Sequence, residues 1–176
     1  AADQFGEEVP LPGCLSAMLN EKILPLARTE TYAAEFREKT LPMSDVQEAL
    51  SAQSDALSTF YEAVSAGRDT LELDQWIGAC EGKVLFSNLM IDGYPVRLSE
   101  PQARASFIAA AADPKAGLLP DEFAACVART GYDKYKMVTP MGPGAKVTAF
   151  LGNLLGEDDE EDAVLAATGG GKRDDE

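Results

Sequence analysis

The stretch ADPKAGLLPDEF, residues 112–123, places acidic side chains around a turn. An Asp-Pro dipeptide and a glycine build the turn, and Asp113, Asp121 and Glu122 supply carboxylates. Oxygen ligands of this kind are those that calcium prefers, so these three residues are the candidate metal ligands of the chain. Whether the stretch binds a metal or only keeps the shape of a calcium loop depends on the other positions around the turn.

Other site chemistry has little support in the sequence. The chain has no histidine, and its three cysteines, Cys14, Cys80 and Cys126, are widely spaced without a CxxC pair. This composition argues against zinc and removes Ser-His and Cys-His nucleophile pairs. No pair of carboxylates stands out for acid-base work. We therefore expect no enzyme activity and no cofactor, with calcium as the one ion left open. Cys80 and Cys126 are expected to be small buried thiols in a reducing compartment.

The charge balance limits the partners. Fifteen basic residues against thirty acidic ones give a formal net charge of −15. Such a chain repels a phosphate backbone and anionic lipid, so a protein partner is expected and nucleic acid is not. No apolar run approaches the roughly 18 residues that cross a bilayer, so no membrane insertion is expected. We expect a cytoplasmic protein, and an organelle is left open because the sequence starts without Met, as a processed or truncated chain would.

Helical periodicity, interrupted by Gly and Pro, covers most of the chain and predicts an all-α fold. Ser44, with Gln47 in capping-box spacing, is predicted to open one long amphipathic helix that continues to Val64. The other predicted features are helices within 14–27 and 29–41, N-caps at Asp74 and Ser99, helix ends at Gly131 and Gly156, a loop at DGYPVR (92–97), and an acidic helix start from Glu157.

The sequence contains a weak internal repeat. A shift of 47 residues lays 56–76 over 103–123 and matches Phe60 with Phe107 and Leu71 with Leu118. Each copy reads as a helix that ends on an aromatic residue, a loop with an aliphatic residue, and a second aromatic that opens the next helix. The repeat predicts two similar helix-loop-helix units.

This unit resembles an EF-hand, in which the eighth residue of a 12-residue loop is aliphatic and the twelfth is Glu. LLPDEF (118–123) is similar to the second half of such a loop, with Leu118 eighth and Glu122 twelfth. LELDQW (71–76) is similar to the same half of a first hand, with Leu71 eighth and Gln75 twelfth. The resemblance implies that Leu71 and Leu118 join the loops through a short two-stranded bridge within a four-helix unit at 44–131.

The calcium ligands of an EF-hand are mostly missing. The consensus uses side chains from loop positions 1, 3, 5, 9 and 12 with Gly at 6. These positions are Ala111, Asp113, Lys115, Leu119 and Glu122, with Ala116 at the sixth, in the loop at 111–122, and Val64, Ala66, Arg68, Glu72 and Gln75 in the loop at 64–75. A cation at the fifth position repels calcium, so both loops are expected to keep the shape without the metal.

A wider resemblance links most of the chain to calmodulin-like helical proteins of protists and algae, some of them ciliary. The motifs that carry it include FREKTL, LSTFYEAV and LLPDEFAACVARTGYDKYK. It implies a cytoskeletal or ciliary setting within the cytoplasm. The predicted organisation is an N-terminal extension at 1–43, the EF-hand-like pair at 44–131, C-terminal helices at 132–167 and a disordered tail at 168–176.

These observations favour a non-enzymatic interaction or scaffold module that binds a protein partner, a helix or a larger complex, independently of calcium. The candidates for the partner groove are the aromatic residues Phe60, Trp76, Phe107, Phe123, Tyr132 and Tyr135. The basic, aromatic stretch RTGYDKYK at 129–136 is left open between a partner contact and a favourable helix C-terminus. The alternative function is a calcium sensor or buffer that uses Asp113, Asp121 and Glu122, or the acidic run from Glu157 to Asp162.

Overall fold

A computed structural model describes residues 31–169, which are mostly helical with one two-stranded antiparallel sheet. The chain divides into two compact units, Ala1–Arg37 and Glu38–Glu176. Residues 31–35 are helical in the first unit, and a π-helical turn occupies Phe36–Thr40. The predicted helix at 14–27 and residues 170–176 of the predicted disordered tail lie outside the described residues.

Two helices replace the predicted single helix at 44–64. Helix α1 spans Ser44–Ala52 and helix α2 spans Ser54–Val64, with a break at Gln53 (φ −111°, ψ 15°). The long-helix prediction was wrong because Ser and Asp around the break are weak interior helix formers that favour helix starts. The predicted Ser44 cap was also wrong, because Met43 takes the N-cap position. The side-chain amide of Gln47 donates to the Leu41 carbonyl oxygen at 2.7 Å.

The next helices form two helix-loop-helix units with α2. Helix α3 spans Leu73–Gly82, α4 spans Glu100–Ala110, and α5 spans Pro120–Lys134. The predicted cap at Ser99 is confirmed, whereas α3 starts after Glu72 instead of at the predicted Asp74 cap, because the Gln75 side chain accepts from the Glu72 amide at that point.

The two loops meet at the expected leucines. Leu71 and Leu118 form an isolated antiparallel bridge, and each amide donates to the other carbonyl oxygen at 2.9 Å. Both side chains are fully buried, and the Tyr61 hydroxyl lies 2.8 Å from the Leu118 carbonyl oxygen. The bridge between Leu71 and Leu118 is therefore confirmed.

The repeat has a different offset before and after the loops. Helices α2 and α4 start at Ser54 and Glu100, an offset of 46 residues, whereas α3 and α5 start at Leu73 and Pro120, an offset of 47. The loop at 65–72 is thus one residue shorter than the loop at 111–119. The buried pair Leu57 and Tyr61 matches Ala103 and Phe107, so Tyr61, and not the predicted Phe60, is the counterpart of Phe107.

A β-hairpin lies between the two helix-loop-helix units in the sequence. Strand β1 spans Ser87–Ile91 and strand β2 spans Tyr94–Leu98, joined by Asp92 and Gly93, which both have positive φ. Two such residues form a type I′ turn, which Asp-Gly favours because it matches the twist of the strands. The loop predicted at 92–97 was wrong, since the Pro in this segment lies in β2 at a position paired with Met90.

Two C-terminal helices complete the fold. Helix α6 spans Pro143–Leu155, and α7 spans Glu160–Thr168 after an Asp159 cap. The predicted end of α6 at Gly156 is confirmed by its left-handed conformation. The predicted helix end at Gly131 was wrong: α5 continues to Lys134, and a Cβ on Gly131 would lie 2.6 Å from Phe150 Cβ. This glycine allows α5 and α6 to approach closely.

The core surrounds α5, which contacts α1, α2, α4, α6 and β2. At the other end of α6, the Asp45 carboxylate of α1 accepts from the Gly144 amide at 2.8 Å and caps the helix. Within residues 31–169, none of the helices combines the length and apolar character that a bilayer crossing requires.

Gly117 is expected to be essential for the bridge. Its φ is +92°, and a Cβ would lie 2.6 Å from the Leu71 carbonyl oxygen, which accepts a bridge hydrogen bond. Gly117→Ala should therefore lower the free energy of unfolding by about 2 kcal/mol or more, measured by urea denaturation. Gly78→Ala is the control, because it lies inside α3 with no atom within 4 Å of its Cβ and should be neutral or stabilising. Equal losses in both variants would contradict the role of Gly117.

Candidate functional site

A groove of about 440 Å³ lies between α1, α2 and the first turns of α5. Its apolar lining comes from Leu41, Leu50, Leu57, Tyr61, Pro120, Phe123, Ala124 and Ala125. Three serines, Ser51, Ser54 and Ser58, line it together with Gln47 and Asp121. The lining therefore combines an apolar surface with short polar groups and the carboxylate of Asp121.

The groove depends on the helix break at Gln53. This break separates α1 from α2, and residues of both helices form one side of the groove. Leu57 and Tyr61 are spaced by four residues and share a face of α2. Both are buried, whereas Ser54 and Ser58 of the same helix are exposed. The serines can therefore be changed without disturbing the core.

An aromatic cluster supports the base of the groove. The Phe123 ring centroid lies 5.4 Å from Tyr61, 5.8 Å from Trp76 in an edge-on contact, and 6.2 Å from Phe60 in a stacked one. The Trp76 indole donates to the Ala103 carbonyl oxygen at 3.2 Å. Burial, with a smaller contribution from Asp69, raises the pKa of the Tyr61 phenol, which therefore remains neutral at physiological pH.

Of the six predicted groove aromatics, Phe123 lines this groove, and Phe60 is half-buried and stacks on the Phe123 ring. Trp76, Phe107 and Tyr135 are completely buried in the core. Tyr132 is half-buried, with the Lys146 ammonium 5.0 Å from its ring centroid. Phe60, Trp76 and Phe123 therefore share one aromatic cluster, and Phe123 is the member of the predicted set that lines the groove.

Glu122 ties together the two ends of the loop at 111–119. One carboxylate oxygen accepts from the Ala112 amide and the other from the Leu119 amide, both at 2.8 Å. Asp113 accepts from the Lys115 amide at 3.0 Å and closes the turn, and Asp121 is exposed beside the groove. The two Glu122 oxygens are thus already used by the protein's own backbone.

The loop at 65–72 contains an exposed ion pair instead. Arg68 lies 2.6 Å from Glu72, with both side chains more than half exposed. Across residues 31–169, no set of three or more His, Cys, Asp or Glu side chains has an arrangement that could hold a metal ion. Asp113 lies in the loop, whereas Asp121 and Glu122 belong to the first turn of α5.

The two cysteines in the described part of the chain are buried free thiols. Burial raises the pKa of Cys80 to about 12 and that of Cys126 still further. A thiol with such a pKa is protonated at physiological pH and is a poor nucleophile.

The groove includes residues that the sequence analysis did not select. Leu50 and Leu57 belong to the apolar stripe predicted for 44–64, and the spacing of Ser51, Ser54 and Ser58 at i, i+3 and i+7 places them beside that stripe. That spacing is the signal that could have identified this face. This face forms part of a groove because the helix breaks at Gln53.

Comparisons of the chain with protein-family models, with curated proteins and with solved structures found no match.

Proposed function

We propose that this chain is a non-enzymatic, EF-hand-like interaction module that holds an apolar helix of a protein partner, within a larger cytoplasmic assembly and without calcium control. The observation that carries the proposal is the groove between α1, α2 and α5. Paired hands bind target helices in grooves of this kind, with apolar anchors on one helical face.

The EF-hand-like pairing is supported by α2–α3 and α4–α5. Each pair is a helix, a loop of eight or nine residues and a second helix, and the loops meet at Leu71 and Leu118. These are the residues that the resemblance assigns to the eighth loop position. The one-residue difference between the loops accounts for the weak repeat in the sequence.

Calcium independence is supported by the loop at 111–119. Glu122 would have to release the Ala112 and Leu119 amides before it could bind an ion with both oxygens. Lys115 at the fifth position and aliphatic residues at the first and ninth leave too few oxygens for the six to eight ligands of calcium. The Glu122 carboxylate thus joins the two ends of the loop, as the bound ion joins the parts of the loop in a calcium-binding hand.

The groove can be tested by a blocking substitution. Ser58→Arg places a long cation in the groove, whereas Thr59→Arg makes the same change at an exposed neighbouring position that does not line it. Capture from native extract, with and without chelator, should yield a partner with the wild type and Thr59→Arg, and about tenfold less with Ser58→Arg. Equal capture by both variants would exclude the groove, and capture that depends on calcium would support the alternative of a calcium sensor.

Glu122→Gln tests the proposed role of the carboxylate. An amide side chain can accept from one backbone amide but presents a donor to the other, so stability without calcium should fall by about 1–3 kcal/mol. Glu48→Gln, at an exposed site on α1, should stay within about 0.5 kcal/mol. Adding calcium to about 1 mM should leave the wild-type melting temperature nearly unchanged. A large rise that chelator reverses would refute calcium independence.

A further inference from the structure

The β-hairpin has an exposed apolar strand. Leu89 of β1 is 43% exposed and Met90 is 63% exposed, whereas Val96 and Leu98 of β2 are buried. A cleft of about 510 Å³ lies between β1 and α7, and its apolar lining comes from Leu89, Met90, Ile91 and Leu165. This surface is separate from the groove between α1, α2 and α5.

Strand β1 also has a free backbone edge. The two-residue turn makes Ile91 and Tyr94 a hydrogen-bonded pair. The backbone N–H and C=O groups of Asn88 and Met90 therefore point away from β2. In the described part of the chain, neither group has another hydrogen bond. A strand edge of this kind can accept a further strand.

The two edges of the hairpin are not equivalent. On β2, the outward position opposite Met90 is Pro95, which has no N–H, and β2 packs against α5. On β1, the outward positions keep both donors. Pro95 therefore removes one donor from the outer edge of β2, whereas β1, which lines the cleft, keeps both of its outward donors.

The cleft is acidic. Asp92, Asp159 and Glu161 line it without an ion pair among the described residues, while the fourth acid, Glu160, is paired with the buried Lys134. These charges favour a basic occupant and disfavour a second copy of this chain, whose net charge is −15.

We propose that β1 and the cleft beside α7 form a second docking site, which binds a basic, extended protein segment as an added strand. The segment would pair with the Asn88 and Met90 peptide groups, place alternate apolar side chains against Leu89 and Leu165, and bring Lys or Arg side chains to Asp159 and Glu161. The site does not depend on the groove or on its proposed function.

A defined probe tests this site. A fluorescein-labelled peptide of about ten residues, alternating Lys and Val, should bind the full chain in an anisotropy titration, and its affinity should fall as salt rises. N-methylation of alternate peptide nitrogens should weaken binding at least about tenfold because it removes strand hydrogen bonds without altering the protein. A Glu-Val peptide, and a helix-forming Lys peptide of equal charge, should bind at least about tenfold more weakly.

Matched variants locate the site. Met90→Pro removes the free edge donor and should weaken binding about tenfold, whereas Met90→Ala keeps it and should cost less than about threefold. Glu161→Lys should weaken binding about fivefold relative to Glu62→Lys, an equal charge change at an exposed site on α2. Ser58→Arg should bind as the wild type, so failure of the groove proposal leaves this result unchanged.

The inference is overturned if the Lys-Val peptide does not bind at millimolar concentration, if N-methylation has no effect, or if the helical peptide binds as tightly. Loss of probe binding in Ser58→Arg would assign the peptide to the groove instead. Self-association of the chain that Met90→Pro abolishes would assign the edge to a second copy. Each of these outcomes contradicts a basic added strand at β1.

Discussion

Phe123→Ala is expected to lower the free energy of unfolding by about 3–5 kcal/mol, which is a large part of the stability of a domain of this size. Phe123 is 2% exposed, and its ring contacts Phe60, Tyr61 and Trp76. Truncation removes the ring that α5 contributes to the packing of both helix-loop-helix units. The helices of these units are held by the loop bridge, so they cannot close the cavity that truncation leaves.

Urea denaturation followed by Trp76 fluorescence measures this loss, since the indole is an edge-on neighbour of the deleted ring. Ile108→Ala is the control, because Ile108 is 52% exposed on α4 and should change stability by less than about 1 kcal/mol. Similar changes in the two variants would mean that Phe123 lies at the edge of the core instead of joining its halves.

The sequence predicted the part of the fold that depends on local signals and on the repeat. The EF-hand resemblance implied the bridge between Leu71 and Leu118, and the repeat placed the two leucines at equivalent positions. Ser99 and Gly156 were predicted as helix boundaries because a side-chain cap and a left-handed glycine act within one turn of chain. The two helix boundaries require no knowledge of distant residues.

Tertiary packing decided the features that the sequence could not supply. Gly131 has the composition of a helix end, but it lies inside α5 because Phe150 packs where its side chain would be. Gln53 breaks a continuous apolar stripe, and α1 and α2 then pack separately against α5 and α6. The Asp-Gly turn of the hairpin was a local signal that the neighbouring Pro obscured.

The candidate site was predictable only in part, for the same reason. Phe123 could be selected from its position after the loop. The serines and leucines line a groove only because the chain changes direction at Gln53, which the sequence did not indicate. The basic stretch at 129–136 suggested a surface, yet Arg129 and Lys134 are buried. Charge alone did not indicate burial because the acidic partner of Lys134, Glu160, lies on a different helix.

Lys134 connects three elements of the C-terminal half. Its ammonium lies 2.7 Å from Glu160 of α7 and 3.1 Å from the Leu85 carbonyl oxygen before β1. Its side chain is completely buried, whereas that of Glu160 is 19% exposed. Burial lowers the pKa of Lys134, and the hydrogen bond and charge of Glu160 partly oppose that decrease. Among residues 31–169, Glu160 is the carboxylate that pairs with this buried charge.

Glu160→Gln is expected to lower the free energy of unfolding by about 3–5 kcal/mol at pH 7, because it leaves a buried ammonium without its counter-charge. Lys134→Met removes the charge and fills the same space, so it should cost less than about 2 kcal/mol. Glu100→Gln is the control for an exposed pair, since Glu100 and Arg104 are 44% and 39% exposed, and should cost less than about 1 kcal/mol.

The cost of Glu160→Gln should also depend on pH. Without the carboxylate, the folded state can avoid the buried charge by releasing the Lys134 proton, while the unfolded chain keeps it. The unfolded state then binds more protons, so stability rises with pH below the ordinary lysine pKa of about 10.4. Deprotonating an ordinary lysine costs about 4–5 kcal/mol at pH 7 and about 2 kcal/mol at pH 9, which sets an upper limit on the penalty. Urea denaturation at both pH values should therefore show the deficit of Glu160→Gln shrinking toward pH 9, and the deficit of Lys134→Met should change less. A deficit that is equal at both pH values would mean that Lys134 keeps its proton through another partner.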